Sequence, residues 1–229
     1  MIDIHHHLLP GLDDGAHDPE MSMAMAEMAI EDGITHIVCT PHSSHQFPFH
    51  PETNAQRFAA LQDQVQMRFG DRLTLGLGCD FHLMFENIED AQRHPTRYTI
   101  NGHRYLLVEF ASSFISPNTG GTFYELSLSG MTPIITHPER NPILARNPEK
   151  MADWIRTGAL VQITAASLTG RFGQQAEHVS HWLLAHNWVH FLATDAHNTE
   201  SRPPRLRFAY DLVAEKYGAA TAERLCVDN

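Results

Sequence analysis

Cysteine is scarce in this chain: Cys39, Cys79 and Cys226 are the only three among 229 residues. They are too few and too scattered for a disulfide framework or a cysteine-ligated zinc site. This usage reads as a reducing compartment, and the expected location is the cytoplasm. Cys39 and Cys79 sit at the ends of apolar runs, which suits buried, inert thiols. Basic residues are also few, 16 Lys and Arg against 27 Asp and Glu, for a formal charge of −11. A nucleic-acid backbone calls for a basic face, so no nucleic-acid partner is expected. An anionic substrate stays open, because bound cations invert the local field. No apolar run approaches membrane-spanning length, and no basic segment followed by an apolar core opens the chain. Neither membrane insertion nor a signal peptide is expected.

What the chain has in abundance is histidine, 17 residues. Imidazole is the commonest protein ligand for transition metals. The densest stretch is the start, Asp3-Ile4-His5-His6-His7. Its apolar and β-branched neighbours favour a strand, on which side chains alternate faces. His5 and His7 then share a side, about 6–7 Å apart along the strand, and His6 points away. Two imidazoles so placed can grip one metal ion. Asp3 is expected on the same face, where it can orient a ligand histidine from behind.

Short apolar runs alternate with helical patterns along the rest of the chain. Strands are expected at 1–4, 34–40, 73–79, 105–108, 133–136, 159–164 and 188–193. Helices are expected near 19–31, 51–69, 87–93, 123–128, 147–157, 173–186, 204–217 and 220–225. Roughly seven strand–helix units predict an α/β fold with a parallel sheet covered by helices. Their number in one chain of this size favours a TIM-like barrel, with a doubly wound open sheet as the runner-up. No linker or low-complexity tract breaks the pattern, so 1–229 reads as one domain.

The ionisable residues fall at particular places. His5, His7, His42, Asp80, Glu109, His137, Asp195 and His197 all lie at or just past the C-terminal ends of expected strands. In parallel barrels those ends converge on one rim that carries the active site. Burying so many ionisable groups together without cations would be costly. Histidine with carboxylate and no cysteine suits zinc, manganese or iron better than calcium or magnesium alone. The set exceeds the needs of one ion and supports two or three. Multinuclear sites of this kind hydrolyse phosphate esters. Arg140, in His137-Pro138-Glu139-Arg140, and Arg202, before Pro203-Pro204, lie on loops leaving the same rim. A guanidinium binds phosphate through two parallel hydrogen bonds.

Taken together, His5-x-His7, Leu12-Asp13-Asp14-Gly15, Thr40-Pro41-His42, Glu109-Phe110, His137-Pro138-Glu139-Arg140, Thr194-Asp195-Ala196-His197-Asn198 and Arg202-Pro203-Pro204 resemble the polymerase and histidinol phosphatase (PHP) family. More narrowly they resemble its bacterial tyrosine-protein phosphatase branch, linked to capsular and exopolysaccharide synthesis. The resemblance runs from Met1 to the last residues. It implies a distorted (β/α)7 barrel and a site of two or three metals, often manganese, with iron or zinc as alternatives. One metal would take His5, His7, Asp80 and Asp195. A second would take Asp80, Glu109 and His137, with Asp80 bridging. A third would take Asp14, His42 and His197, and Asp14 enters on the resemblance alone. Arg140 and Arg202 would bind the phosphate, and a metal-bridging hydroxide would attack phosphorus in line, with no cysteine nucleophile. The family usually has glutamate where this chain has Asp80, one methylene shorter. The chain ends at Val227-Asp228-Asn229, slightly short of the family's usual end.

The expected substrate is a phosphotyrosine protein, the tail of a tyrosine autokinase that drives polysaccharide export. Phe47, Phe49, Phe114 and Phe172 on rim loops could flank its aromatic ring. The alternative is a small-molecule phosphomonoesterase such as a histidinol phosphatase, which needs a closed pocket. A non-catalytic metal-storage module is the third reading, and the paired arginines argue against it. His6, His45, His50 and His82 match no role known for the family.

Overall fold

The computed structural model describes residues 1–229. The opening run becomes strand β1 (Ile2–His6), which pairs in parallel with β2 (His36–Cys39), and β2 with β3 (Thr74–Leu77). A second parallel sheet runs in sequence order through β4 (Asp80–His82), β5 (Tyr105–Glu109), β6 (Thr132–Thr136), β7 (Leu160–Thr164) and β8 (Phe191–Ala193). Helices α1 (Pro19–Glu31), α2 (Pro51–Phe69), α3 (Phe85–Arg93), α4 (Thr119–Leu128), α5 (Pro142–Arg146), α6 (Ala152–Arg156), α7 (Gln174–Ala185), α8 (Arg207–Tyr217) and α9 (Ala219–Glu223) fill the connections and the C-terminus. None is long and apolar enough to cross a membrane.

Local chemistry sets these boundaries. Asp18 caps α1 by accepting from the Met21 N–H at 2.8 Å, and Pro19 occupies the first turn, where its missing N–H costs nothing. Gly33, at φ +88°, takes the left-handed turn that ends the helix. The expected helix 147–157 forms as a 3-10 turn at Pro148–Met151 that runs into α6, with Asn147 outside it and the unexpected α5 just before. Pro148 drives Asn147 out of the helical region, to ψ 74°.

The expected strand 73–79 also divides. It ends at Leu77, and Gly78-Cys79 carries the chain across to the second sheet. A β-carbon on Gly78 would stand 3.2 Å from Val38 Cγ1 and 3.3 Å from Ile100 Cγ1, so glycine suits the close crossing and any other residue would have to push these side chains aside. Eight strands therefore replace the seven expected.

Backbone hydrogen bonds link the two sheets at both seams. Asp80 N–H donates to Pro41 O and Ser43 N–H to Asp80 O, at 3.1 and 3.0 Å. Asp195 N–H donates to His5 O and His7 N–H to Ala196 O, at 2.9 and 3.0 Å. Between the sheets lies a small apolar cluster of Ile4, Val38, Leu107, Ile134, Phe191 and Ala193. The other strand faces join the main core under the helices, with Ile37, Cys39, Leu106, Val108, Ile135, Val161 and Leu192. The strands thus carry apolar residues on both faces, while the polar residues of the site gather near their C-terminal ends.

Leu107 is fully buried in the small cluster. Leu107→Ala is expected to lower the unfolding free energy by about 2–5 kcal/mol. A urea melt checks this: the midpoint should fall with the slope unchanged.

Candidate metal centre

The site begins with an irregularity in β1. Asp3 pairs with Ile37 and His6 with Cys39, so the register slips by one residue between them. Such a bulge flips the alternation of faces. Asp3 is therefore not on the face of His5 and His7. Its carboxylate accepts from the Thr194 N–H and hydroxyl, on the side that Ile37 and Cys39 give to the main core. Asp3 thus anchors the segment leading to Asp195. The Nδ1 of His5 lies instead 3.0 Å from Gln162 Oε1. His5 and His7 do share a face, with their Nε2 atoms 3.3 Å apart. The His6 ring points away and is buried without a partner.

Around that pair the structure gathers the other seven residues. Asp80 Oδ2 lies 3.5 Å from His5 Nε2 and 3.0 Å from His42 Nδ1. Asp195 Oδ1 lies 3.4 Å from His5 Nε2 and 3.3 Å from His7 Nε2. Asp14 Oδ1 is 3.4 Å from both His42 Nε2 and His197 Nε2. Glu109 stands 3.5 Å from His42 and 3.8 Å from His137. Four groups of donor atoms result: His7, Asp14, His42 and His197; His5, His7 and Asp80; His5, His137 and Asp195; His42, Asp80 and Glu109. The first contains the third set implied by the resemblance. His137 falls with His5 and Asp195 rather than with Asp80 and Glu109, and His42 takes the place beside those two.

The donor chemistry fits metal ions. Both Asp80 oxygens and His42 Nδ1 are buried without a hydrogen bond, their 3.0 Å approach being off hydrogen-bond geometry. Buried polar atoms normally find partners, and a cation would satisfy these. Electrostatics agree. Burial pushes His5 down, but Asp195 and Asp80 outweigh it and hold its pKa at about 9. Burial also opposes protonation of His42, yet Asp14, Asp80 and Glu109 raise its pKa. Burial pushes Asp80 and Asp195 up, and His5, with the other cations around each, holds them well below the usual carboxylate range. Protons on histidine thus occupy the place that divalent cations would take, and loading metal must release them.

Several supporting residues carried no clear signal in the sequence. Asp13 Oδ2 lies 2.8 Å from His7 Nδ1, which leaves Nε2 facing the site. Asp13 also accepts from the N–H groups of His42 and Gly15. Its place before Asp14 and two before glycine is an Asx-turn signature that could have marked it. A β-carbon on Gly15 would stand 2.3 Å from the His7 carbonyl oxygen, so only glycine lets the loop lie against β1. His137 and Asp195 adopt φ of +33° and +52°. Non-glycine residues rarely do so, and such strain concentrates at functional sites.

Arg140 and Arg202 converge on one atom, Asp195 Oδ2. Arg140 also donates to Thr164 Oγ1 at 3.4 Å and lies 4.2 Å over the Phe172 ring. Phe47 stacks on His42, with ring centroids 5.8 Å apart. Phe114 is largely exposed. Phe49 stacks on Tyr98 at 4.9 Å, against the core rather than on the rim. His45 and His50 are exposed, and His82 Nδ1 lies 3.4 Å from Glu109. All three cysteines are free and buried. Burial pushes Cys226 up to about 12 and also raises Cys39 and Cys79, the opposite of an activated thiol.

The CpsB/CapC family model, for capsular polysaccharide synthesis, matches residues 1–229. This chain belongs to the CpsB/CapC family. Tyrosine-protein phosphatase YwqE of Bacillus subtilis is 35% identical over 222 residues, covering 96% of this chain and 86% of that protein. A crystal structure from the pair YwqE of B. subtilis and CpsB of Streptococcus pneumoniae, described as metal-dependent tyrosine phosphatases, matches with a TM-score of 0.88. That match is 32% identical and covers 97% of this chain and 90% of the other. The lactonase Lmo2620 of Listeria monocytogenes shares the fold alone, with a TM-score of 0.61 at 11% identity.

Two outcomes test the centre. Manganese at a hundred times its Kd should add about 2.7 kcal/mol to the stability of metal-stripped protein, seen as a higher Tm that a chelator reverses. Asp13→Asn should weaken metal binding about 10- to 100-fold, because His7 loses its orienting carboxylate. Titration followed by elemental analysis measures this, and an unchanged affinity would remove Asp13 from the site.

Proposed function

We propose that this CpsB/CapC family member is a metal-dependent protein-tyrosine phosphatase of capsular or exopolysaccharide synthesis, acting on the phosphotyrosine tail of a tyrosine autokinase. The observation that carries this is the pair of guanidiniums meeting at Asp195, on the edge of a buried histidine–carboxylate cluster. Phosphatase names among the relatives support it.

His5, His7, Asp14, His42, Asp80, Glu109, His137, Asp195 and His197 would hold two or three metals, manganese first and iron or zinc otherwise. Asp80, which belongs to two of the four donor groups, would bridge. Metal, when bound, supplies Lewis-acid polarisation of phosphoryl oxygens and lowers the pKa of a water. Arg140 and Arg202 orient the phosphate by paired hydrogen bonds. Asp195 fixes both guanidiniums, and the Phe172 ring supports Arg140 from below. Phe47 and Phe172 offer apolar faces to a tyrosine ring. Tyrosine also leaves well, since its hydroxyl has a pKa of about 10, far below that of an alkyl alcohol.

We read the two sheets as one distorted barrel within a single domain, 1–229, on the strength of the hydrogen-bonded seams and the apolar cluster between them. The free thiols suit the reducing cytoplasm.

The direct test is hydrolysis of a phosphotyrosine peptide beside histidinol phosphate, by protein stripped of metal and resupplied with manganese. Peptide turnover should return only with metal. Turnover of histidinol phosphate alone would overturn the substrate. Arg140→Ala with Arg202→Ala should cut kcat/KM on the peptide by about 10²-fold or more. Unchanged turnover would sink the clamp.

A further inference from the structure

The few cations of this acidic chain are unevenly placed around the site. Loop 198–205, between β8 and α8, divides two cavities. On one side Asp14, His17, Met21 and Glu200 line an acidic cleft of about 350 Å³ beside His197. On the other, a cavity of about 50 Å³ is lined by Arg171, Arg202, Arg205, Phe172, Ser201 and Thr194. Three of only 16 basic residues thus border one small space, in a protein whose net charge is −11. Phe172 also carries the Arg140 guanidinium, so the cavity adjoins the phosphate clamp.

These cations are only partly neutralised. Arg171 is exposed and donates to the Ser201 carbonyl at 3.3 Å. Glu177, on α7, has its carboxylate against Gly170, the residue before Arg171. Arg205 reaches Asp32 only at 3.5 Å. Arg202 gives Nη2 to Asp195, but its Nε–H is buried without an acceptor. A buried donor without a partner costs a full desolvation penalty, and converging cations repel unless an anion lies between them. Forked N–H donors match carboxylate and phosphate oxygens. The cavity has room for one such group.

We infer that this cavity is an anion subsite beside the phosphate clamp, which reads an acidic group flanking the phosphotyrosine. That group is either a side-chain carboxylate or a second phosphate. The inference rests on the phosphotyrosine-phosphatase reading and narrows its substrate to acidic segments entering on the Arg171 side. Glu200, across the loop, disfavours acid on the other side, so the preference depends on direction along the peptide.

The test uses the manganese-loaded enzyme and a set of peptides that differ only beside the phosphotyrosine. Each flank carries alanine, glutamate or phosphoserine in turn, with p-nitrophenyl phosphate as the flank-free substrate. The wild type should favour glutamate on one flank over alanine by about three- to fivefold in kcat/KM, mostly through KM, as expected for a partly exposed ion pair. Added salt should shrink that preference. Arg171→Glu should abolish or invert it while turnover of p-nitrophenyl phosphate stays within about twofold, since solvent-exposed pairs contribute little to stability. A preference for phosphoserine without one for glutamate would assign the subsite to phosphate. Equal kcat/KM for alanine and both acidic flanks would overturn the subsite and leave the phosphatase reading standing. Turnover of p-nitrophenyl phosphate with none of any phosphotyrosine peptide would overturn that reading, and the subsite with it.

Discussion

The constraint on which the structure depends is the burial of carboxylates and imidazoles together at the strand ends. Asp80 is wholly inaccessible, and neither of its oxygens has a hydrogen bond. Water cannot reach it, and His5 and His42 alone leave it incompletely partnered. A low-dielectric interior tolerates such a group only when opposite charge is supplied. Protons on histidine supply some of it, and metal ions would supply more. The surrounding fold serves this arrangement: the bulge in β1, the glycine at 15, the crossing at Gly78 and the left-handed backbone at His137 and Asp195 all bring donor atoms inward.

Asp195 couples the parts of the site. Its Oδ1 faces His5 and His7, and its Oδ2 takes both arginines. One carboxylate thus stands between the donor cluster and the proposed phosphate clamp. Asp3 holds the preceding residue, Thr194, from the core side. A phosphate placed between the arginines is therefore also placed beside the metal donors. That proximity is the physical basis for reading the cluster as catalytic rather than as storage.

Much of this was legible in the sequence, because an apolar run that ends abruptly in His, Asp or Glu marks both a strand and its C-terminal tip. His5, His7, His42, Glu109, His137, Asp195 and His197 all follow that pattern. Asp80 followed it too, although it opens a separate strand rather than closing one, since Gly78 lets the chain change sheets. What stayed hidden depended on register or on tertiary contact. A one-residue bulge carries no composition signal, so Asp3 was placed on the wrong face. Asp13 looked like ordinary turn chemistry until its carboxylate was seen against His7. The helix expected at 147–157 is present over Pro148–Met151 and Ala152–Arg156, and its start follows a rule that was available, since Pro148 bars the residue before it from helical geometry. The grouping of His42 and His137 rests on side-chain directions that spacing along the chain does not encode.

The central claim is that these donors form one multinuclear centre in which Asp80 joins neighbouring ions. Electron paramagnetic resonance of the manganese-loaded protein tests it most directly. An exchange-coupled spectrum that reverts to isolated ions in Asp80→Ala is the predicted result. A spectrum of isolated, uncoupled manganese in the wild type at saturating metal would contradict the account.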